Sequence, residues 1–210
     1  MKTFLSAILA CCVATSASAV TITNGSFETG QEIAPGGFRT VATGNTFTIA
    51  GWTVGGAGVD YIGTYWQAAA GTRSVDLSGG GPGSVSQTIA TEAGRDYKVY
   101  FSLSGNPDGG LGTKSAIVSV SDGIPANFTY PVGAANSRAT MLWQRFSYRF
   151  TAFDTTSNLA FASGTSTAFG PAIDDVTIAA VPEPETWAML LVGMVLVGVS
   201  SRRRQRTAAA

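Results

Sequence analysis

Alternation of apolar and polar side chains with a period of two is the feature that most restricts the fold of this chain. In residues 97–103, and again in residues 146–152, every second side chain is apolar. Successive side chains of a β-strand point to opposite faces, so each segment predicts a half-buried strand. Between residues 20 and 181 no segment sustains a helical period. The body of the chain is therefore predicted to be all-β.

Shorter apolar segments supply the remaining strand candidates. They are residues 47–49, 52–54, 59–62, 74–77, 85–89, 115–120, 159–162 and 172–178. Glycine-rich runs such as residues 79–83 and 106–110 separate them, and runs of this composition form turns. About ten short strands with frequent turns predict a two-sheet antiparallel sandwich of the jelly-roll type. Residues 20–181 are long enough for one such domain.

The N-terminus has the three parts of a secretory signal peptide. Met1-Lys2 is a basic start, residues 4–13 are apolar, and Ala17-Ser18-Ala19 is a small-residue cleavage site. We expect residues 1–19 to form a signal helix that signal peptidase removes before Val20. The two cysteines, Cys11 and Cys12, then leave with the peptide, so the exported domain has no disulfide. Cleavage and lipidation at Cys11 is the weaker alternative, because it leaves a very short apolar core.

The C-terminus, residues 182–210, has the three parts of a sorting segment. A Pro-Glu-Pro motif precedes an uncharged stretch predicted as a transmembrane helix over residues 187–201, and a basic cluster follows at residues 202–206. A helix of that length spans roughly 22 Å, short of a hydrocarbon core of about 30 Å, which suits temporary membrane retention. A permanent tail anchor is the alternative. The residues that carry the signal are Pro182, Glu183, Pro184, Trp187, Arg202, Arg203 and Arg204.

This segment resembles the PEP-CTERM sorting signal of Gram-negative bacteria, in the subtype with Trp187-Ala188 two residues beyond the second proline. The resemblance implies that an exosortase-type membrane peptidase removes the tail. It also implies export to the cell surface or to an extracellular exopolysaccharide and biofilm matrix. Membrane contact is then transient and made by the C-terminal helix.

Composition excludes several classes of function. Histidine is absent, which removes His-based metal sites and the triads that use a histidine base. Residues 20–181 hold 8 basic and 11 acidic residues, a net charge of −3 without a basic patch, so we expect no nucleic-acid partner. No two acids can be paired across a cleft from the sequence, and we predict no catalytic residues and no enzyme activity. A polysaccharide-modifying enzyme stays as the second alternative to the function predicted below.

Asp174 is predicted to lie in an apolar strand. Alternation in residues 172–178 puts it on the face of Val176 and Ile178, the expected core face. A buried carboxylate needs a partner, and Glu28 near the mature N-terminus is a plausible neighbour. Two carboxylates suit a structural calcium ion. The alternative is that Asp174 accepts backbone N–H bonds from the N-terminal turn.

The body resembles the secreted bacterial family called choice-of-anchor C, a relative of galactose-binding-like jelly rolls. The matching segments are residues 24–28, 51–54, 59–62, 65–66, 73–79, 83–87, 104–108 and 170–176. Relatives of this type often hold a structural calcium ion and bind glycans, so the resemblance implies both as expectations.

An aromatic cluster is the candidate glycan contact. Tyr61, Tyr65 and Trp66 fall within six residues, and a flexible stretch follows at residues 67–71. Sugar rings lie well on exposed aromatic faces that have polar neighbours. On a strand, Tyr65 and Trp66 face opposite ways, so only one of them can line a surface. Packing of the cluster into the core is the alternative.

Together these features predict an exported, non-catalytic β-sandwich module of the cell surface or matrix that binds glycan. A structural matrix or adhesion protein without a defined ligand is the first alternative.

Overall fold

Two antiparallel sheets form the body of the protein in the computed structural model, which describes residues 20–121, 123–182 and 192–195. The strands are β1 Phe38–Val41, β2 Thr53–Gly56, β3 Val59–Ile62, β4 Ser74–Asp76, β5 Gly83–Ala90, β6 Asp96–Gly105, β7 Gly112–Val120, β8 Ala126–Val132, β9 Gln144–Thr151, β10 Thr156–Ser163 and β11 Pro171–Ala180. A short 3₁₀ helix, Pro107–Gly109, follows β6.

The six-stranded sheet has the order β1-β3-β4-β11-β6-β9, and the five-stranded sheet has the order β2-β5-β10-β7-β8. Their inner faces meet in one hydrophobic core. Phe101 of β6 packs edge-on against Phe161 of β10, with ring centroids 5.2 Å apart, and Trp52 packs on Phe161 from the other side. The predicted two-sheet antiparallel jelly-roll sandwich is confirmed.

The long alternating strands lie where the pattern predicts them, whereas two edge strands were missed. β6 and β9 contain the two alternating segments. β1 lies at a sheet edge and exposes three of its four residues, so it has little apolar pattern to detect. β8 lies at the edge of the other sheet and does alternate, but it was not among the predicted strands; its core-facing residues are Ala126, Phe128, Tyr130 and Val132. The candidate strand at residues 47–49 is wrong, because that segment forms one isolated bridge, between Gly30 and Ile49.

A β-bulge in β11 reverses the expected orientation of Asp174. The pairing register with β6 shifts between Asp174 and Thr177, and Asp175 has a φ of 50°. The extra residue puts Ile173 and Val176 in the core. Asp174 is buried on the outer face of the six-stranded sheet instead, so the prediction that it shares the core face of Val176 and Ile178 is wrong.

The predicted terminal segments fall mostly outside the described residues. These are the signal peptide at residues 1–19, Glu183, Pro184, Trp187, and the arginines at 202, 203 and 204. Residues 192–195 are helical. Nowhere in the described ranges is there a helix with the length and apolarity to span a bilayer.

Candidate functional site

An open cavity of about 280 Å³ lies at the end of the sandwich where β6 stops and β11 starts. β1 and β3 contribute alternate residues to one wall, and the turns after β3, β4 and β6 and before β11 contribute the rest. The lining residues are Phe38, Thr40, Asp60, Ile62, Tyr65, Trp66, Gly79, Asn106, Asp108, Ala168 and Phe169. The cavity therefore brings together residues that are far apart in the chain, from position 38 to position 169.

Aromatic side chains form the rim of this cavity. Phe38 and Phe169 are 45% and 43% exposed, and both line the cavity. Tyr65 is half-buried and meets Phe38 edge-on, with ring centroids 5.0 Å apart. The rim offers apolar ring surface to any molecule that enters.

Tyr65 is held rigidly by two charged residues. Its hydroxyl donates to Oδ2 of Asp108 at 2.8 Å, and the Arg138 guanidinium lies 4.0 Å from its ring centroid. Arg138 also donates from Nε and Nη2 to Asp108, at 2.9 Å each. A cation over the ring together with a fixed hydroxyl leaves the Tyr65 side chain little freedom to lose on binding.

Polar groups form the floor. The Thr40 hydroxyl donates to Oδ1 of Asp60 at 2.6 Å, and burial raises the pKa of Asp60 while this bond opposes the rise. Asn106 accepts from the Asp108 N–H at 2.9 Å and donates to Asp76 behind the cavity at 2.8 Å. Burial raises the pKa of Asp76 to about 7. The floor presents oxygen acceptors and amide groups in fixed positions.

Of the three predicted aromatic contacts, Tyr65 alone offers substantial surface. Tyr61 points into the core, where its hydroxyl donates to the Phe27 carbonyl. Trp66 lines the cavity but is 4% exposed, and its Nε1 donates to the Ser74 hydroxyl at 2.8 Å. Tyr65 and Trp66 do not face opposite ways, because β3 ends at Ile62 and both lie in the following turn.

Sequence reasoning missed Phe38 and Phe169 as members of this site. Each is an isolated phenylalanine beside glycine in a segment rich in small and polar residues. That context is the signal that indicates an exposed ring. Asn106 and Asp108 were visible only as turn residues, because nothing local shows which other elements their turn meets.

Glu28 and Asp174, the predicted calcium ligands, hold the two ends of one loop, residues 69–73, which we call the clasped loop. Oδ2 of Asp174 accepts from the N–H groups of Ala69 and Ala70, at 2.8 and 2.9 Å. Oε1 of Glu28 accepts from the N–H groups of Thr72 and Arg73, at 2.9 and 2.7 Å.

Gly71, at the middle of the clasped loop, explains how the chain comes so close to Glu28. A Cβ at this position would lie 2.5 Å from the Glu28 carboxyl carbon, and Gly71 has a φ of +66°. Glycine avoids both the clash and the strain.

Hydrogen-bond donors thus surround both carboxylates. Asp174 uses its second oxygen to accept from the Asp175 N–H at 2.6 Å, and burial raises its pKa to about 7. The structure supports backbone hydrogen bonding of Asp174, although the donors come from the clasped loop and not from the N-terminal turn. Across the described ranges, no group of three or more His, Cys, Asp or Glu side chains is placed to hold a metal ion. The shared calcium ion stays a prediction.

Two family models match the chain. The model described as "Protein of unknown function (DUF642)" matches residues 20–179, and the model described as "PEP-CTERM protein-sorting motif" matches residues 180–204. The second match confirms the resemblance of the tail. It implies export and a surface or extracellular location. The finer resemblance to choice-of-anchor C proteins stays a prediction.

Among curated proteins the chain is similar to halomucin of Haloquadratum walsbyi, with 32% identity over 168 residues. The aligned region is 78% of this chain but 2% of halomucin. The chain thus corresponds to a small segment of that relative.

Among solved structures the chain is similar to several carbohydrate-binding modules. TmCBM61, solved with β-1,4-galactotriose, has a TM-score of 0.46 at 19% identity, over 75% of this chain and 96% of that module. A family 35 module from Clostridium thermocellum has a TM-score of 0.47 at 10% identity, over 62% of this chain and 92% of that module. The family 35 module of Paenibacillus barcinonensis has a TM-score of 0.43 at 16% identity, over 68% of this chain and 99% of that module.

Proposed function

We propose, from the premise that this chain belongs to the DUF642 family and carries a PEP-CTERM protein-sorting motif, that it is an exported, non-catalytic module that binds glycan in its aromatic-rimmed cavity. The proposal rests on the placement of aromatic rings next to fixed polar groups in one cavity. Phe38, Tyr65 and Phe169 present ring surface at the mouth of a cavity whose floor holds fixed polar groups.

The chemistry of a sugar matches both parts of this cavity. The C–H face of a pyranose ring is apolar and packs on aromatic rings, whereas its hydroxyls need hydrogen-bond partners around the edge. Asp60 and Asn106 supply a carboxylate and an amide group at the floor, and the exposed Asp108 supplies a second carboxylate beside Tyr65. The cavity is open and small, which suits one or two sugar units of a longer chain.

The state of the two acids in the cavity supports binding without catalysis. Glycoside hydrolysis needs one acid to protonate the leaving group and a second one, about 5 to 9.5 Å away, to act as nucleophile or base. Both oxygens of Asp108 are engaged by Arg138, and Asp60 is buried beneath the Thr40 hydroxyl. Neither acid is free to approach a glycosidic bond.

The partners follow from the tail and the cavity. Signal peptidase removes residues 1–19, and an exosortase-type membrane peptidase removes the C-terminal tail. The released domain then meets the exopolysaccharide around the cell, which we propose as its ligand.

Retention of the exported chain on the host's own exopolysaccharide tests the proposal. Phe169→Ala should weaken retention roughly thirtyfold, since an aromatic anchor commonly contributes about 2 kcal/mol to a site. The melting temperature should fall only slightly, because this side chain is 43% exposed and lies outside the core. Phe47→Ala is the matched control, an exposed phenylalanine outside the cavity. Equal retention of both variants would favour a structural matrix role without a defined ligand.

A further inference from the structure

The C-terminal tail leaves the sandwich at a defined point. Ala180, the last residue of β11, pairs with Tyr97, and the Val181 N–H donates to the carbonyl of Asp96 at 2.8 Å. Asp96 is the first residue of β6. The tail therefore starts at the end of the sheet opposite the cavity, because the cavity lies beyond the last residue of β6.

Few residues separate this exit point from the apolar stretch of the tail. Residues 182–186 lie between Val181 and Trp187, where the stretch begins. Even when fully extended, that length of chain reaches at most about 20 Å. While the apolar stretch is in a bilayer, the tail-exit end of the sandwich must lie within that distance of the lipid surface.

This end carries the tail-exit surface, an open groove of about 430 Å³. Its lining residues are Asp96, Gly123, Ile124, Tyr148, Arg149, Phe150, Thr151 and Phe153. Ile124 is 88% exposed and Phe153 is 73% exposed, on neighbouring loops. The Tyr148 hydroxyl donates to the Ile124 carbonyl at 2.8 Å and holds the first of these loops against the sheet.

We propose that the tail-exit surface rests on the bilayer while the tail is in place, with the side chains of Ile124 and Phe153 inserted among the lipid headgroups. The proposal rests on the membrane transit described under the proposed function. Exposed apolar side chains on two adjacent loops are the features by which a protein surface enters a membrane interface. Residues 182–186 are too few to let this surface move far from the bilayer that holds the apolar stretch.

The charges at this end identify the kind of lipid contact. The exposed Arg149 is paired with Asp96 at 2.6 Å, and Arg95 is paired with Glu92 at 2.8 Å. These arginines are already neutralised, and Asp154 adds a negative charge nearby. The contact is thus made by apolar side chains with zwitterionic lipid and does not need anionic headgroups.

One consequence is a fixed orientation of the glycan cavity. β6 and β11 each contain ten residues and pair antiparallel between the tail-exit end and the cavity end, a length of roughly 30 Å. With the tail-exit surface on the lipid, the glycan cavity is held at the end of the sandwich that is farther from the membrane.

Depth-dependent fluorescence quenching tests the proposal on the chain of residues 20–210, which has no cysteine. Single variants Ile124→Cys and Phe153→Cys carry a bimane label, and Leu111→Cys is the control. Leu111 is 74% exposed and lies at the cavity end. In phosphatidylcholine vesicles that contain nitroxide-labelled lipid, the labels at 124 and 153 should lose fluorescence and the label at 111 should not.

The outcomes separate this proposal from the one it rests on. If the chain floats with the vesicles but labels 124 and 153 are quenched no more than label 111, lipid docking is overturned and membrane transit stands. If the chain does not float with the vesicles, both proposals fail. If the labels at 124 and 153 are quenched only when anionic lipid is added, the contact is electrostatic and the proposed apolar contact is wrong.

Discussion

Asp76 has no exposed surface, and at the residue scale it makes stability depend on pH. Burial raises its pKa from 3.8 to about 7, and burial raises the pKa of Asp174 to a similar value. Between pH 3.8 and about pH 7 the folded state therefore binds more protons than the unfolded state. The stabilisation is fully present below about pH 4 and is lost as the pH rises toward 7.

Urea unfolding at pH 5 and pH 8 measures this effect. We expect the free energy of unfolding to be greater at pH 5, by several kcal/mol, since each of the two carboxyls contributes about 1.4 kcal/mol per pH unit between pH 5 and its raised pKa of about 7. Asp76→Asn should reduce the difference between the two pH values, and Asp154→Asn, at an exposed position, should leave it unchanged. Equal unfolding free energies at both pH values would contradict the assignment.

Trp66 and Tyr65 are adjacent, yet we expect opposite phenotypes from them. Trp66→Ala removes a buried indole and its bond to Ser74, so it should destabilise the protein by about 3–5 kcal/mol. Any loss of glycan retention then follows from unfolding. Tyr65→Ala removes a rim residue, so retention should fall while the melting temperature changes less. Both quantities are measured on both variants, and a Trp66→Ala protein with an unchanged melt would contradict the burial argument.

At the scale of elements, the clasped loop depends on two carboxylates from distant parts of the chain. Asp174→Ala leaves the N–H groups of Ala69 and Ala70 without acceptors, and because both hydrogen bonds are part-buried we expect a loss of about 1 kcal/mol for each. The variant should melt at a lower temperature. Asp154→Ala, also an aspartate-to-alanine change but at an exposed site, serves as the control.

Chelation decides whether calcium shares this position. A calcium ion held by Glu28 and Asp174 predicts that a chelator lowers the melting temperature and that Asp174→Ala abolishes this sensitivity. An unchanged melt in chelator would leave the hydrogen bonds to the clasped loop as the complete explanation.

At the scale of the whole molecule, the two ends of the sandwich carry different features. The cavity lies at one end and the tail leaves from the other, so removal of the tail does not disturb the cavity. Intact-mass measurement of the exported protein should show loss of residues 1–19 and of residues 187–210. A full-length C-terminus on the exported protein would contradict the processing step, whereas glycan retention would be unaffected.

The all-β class and the sorting tail were predictable from the sequence because their signals are local. The alternation in β6 and β9 is a property of consecutive residues, and so is the run from Pro182 to the basic cluster. β1 was not predictable, because three of its four residues are exposed and no buried face imposes an alternation on it. The bulge at Asp175 shifted the alternation by one residue, which no local pattern shows.

The tertiary structure decided which residues form the candidate site. Phe38, Tyr65, Asn106 and Phe169 come from separate turns and strands, and the pairing order β1-β3-β4-β11-β6 alone brings them to one end. The three aromatic residues that lie close together in the sequence also differ in burial, because Tyr61 packs in the core whereas Tyr65 lies at the cavity rim. The sequence by itself determined the class of fold and the export route, since neighbouring residues carry both signals. The site depended on contacts between residues far apart in the chain, and packing alone selects these.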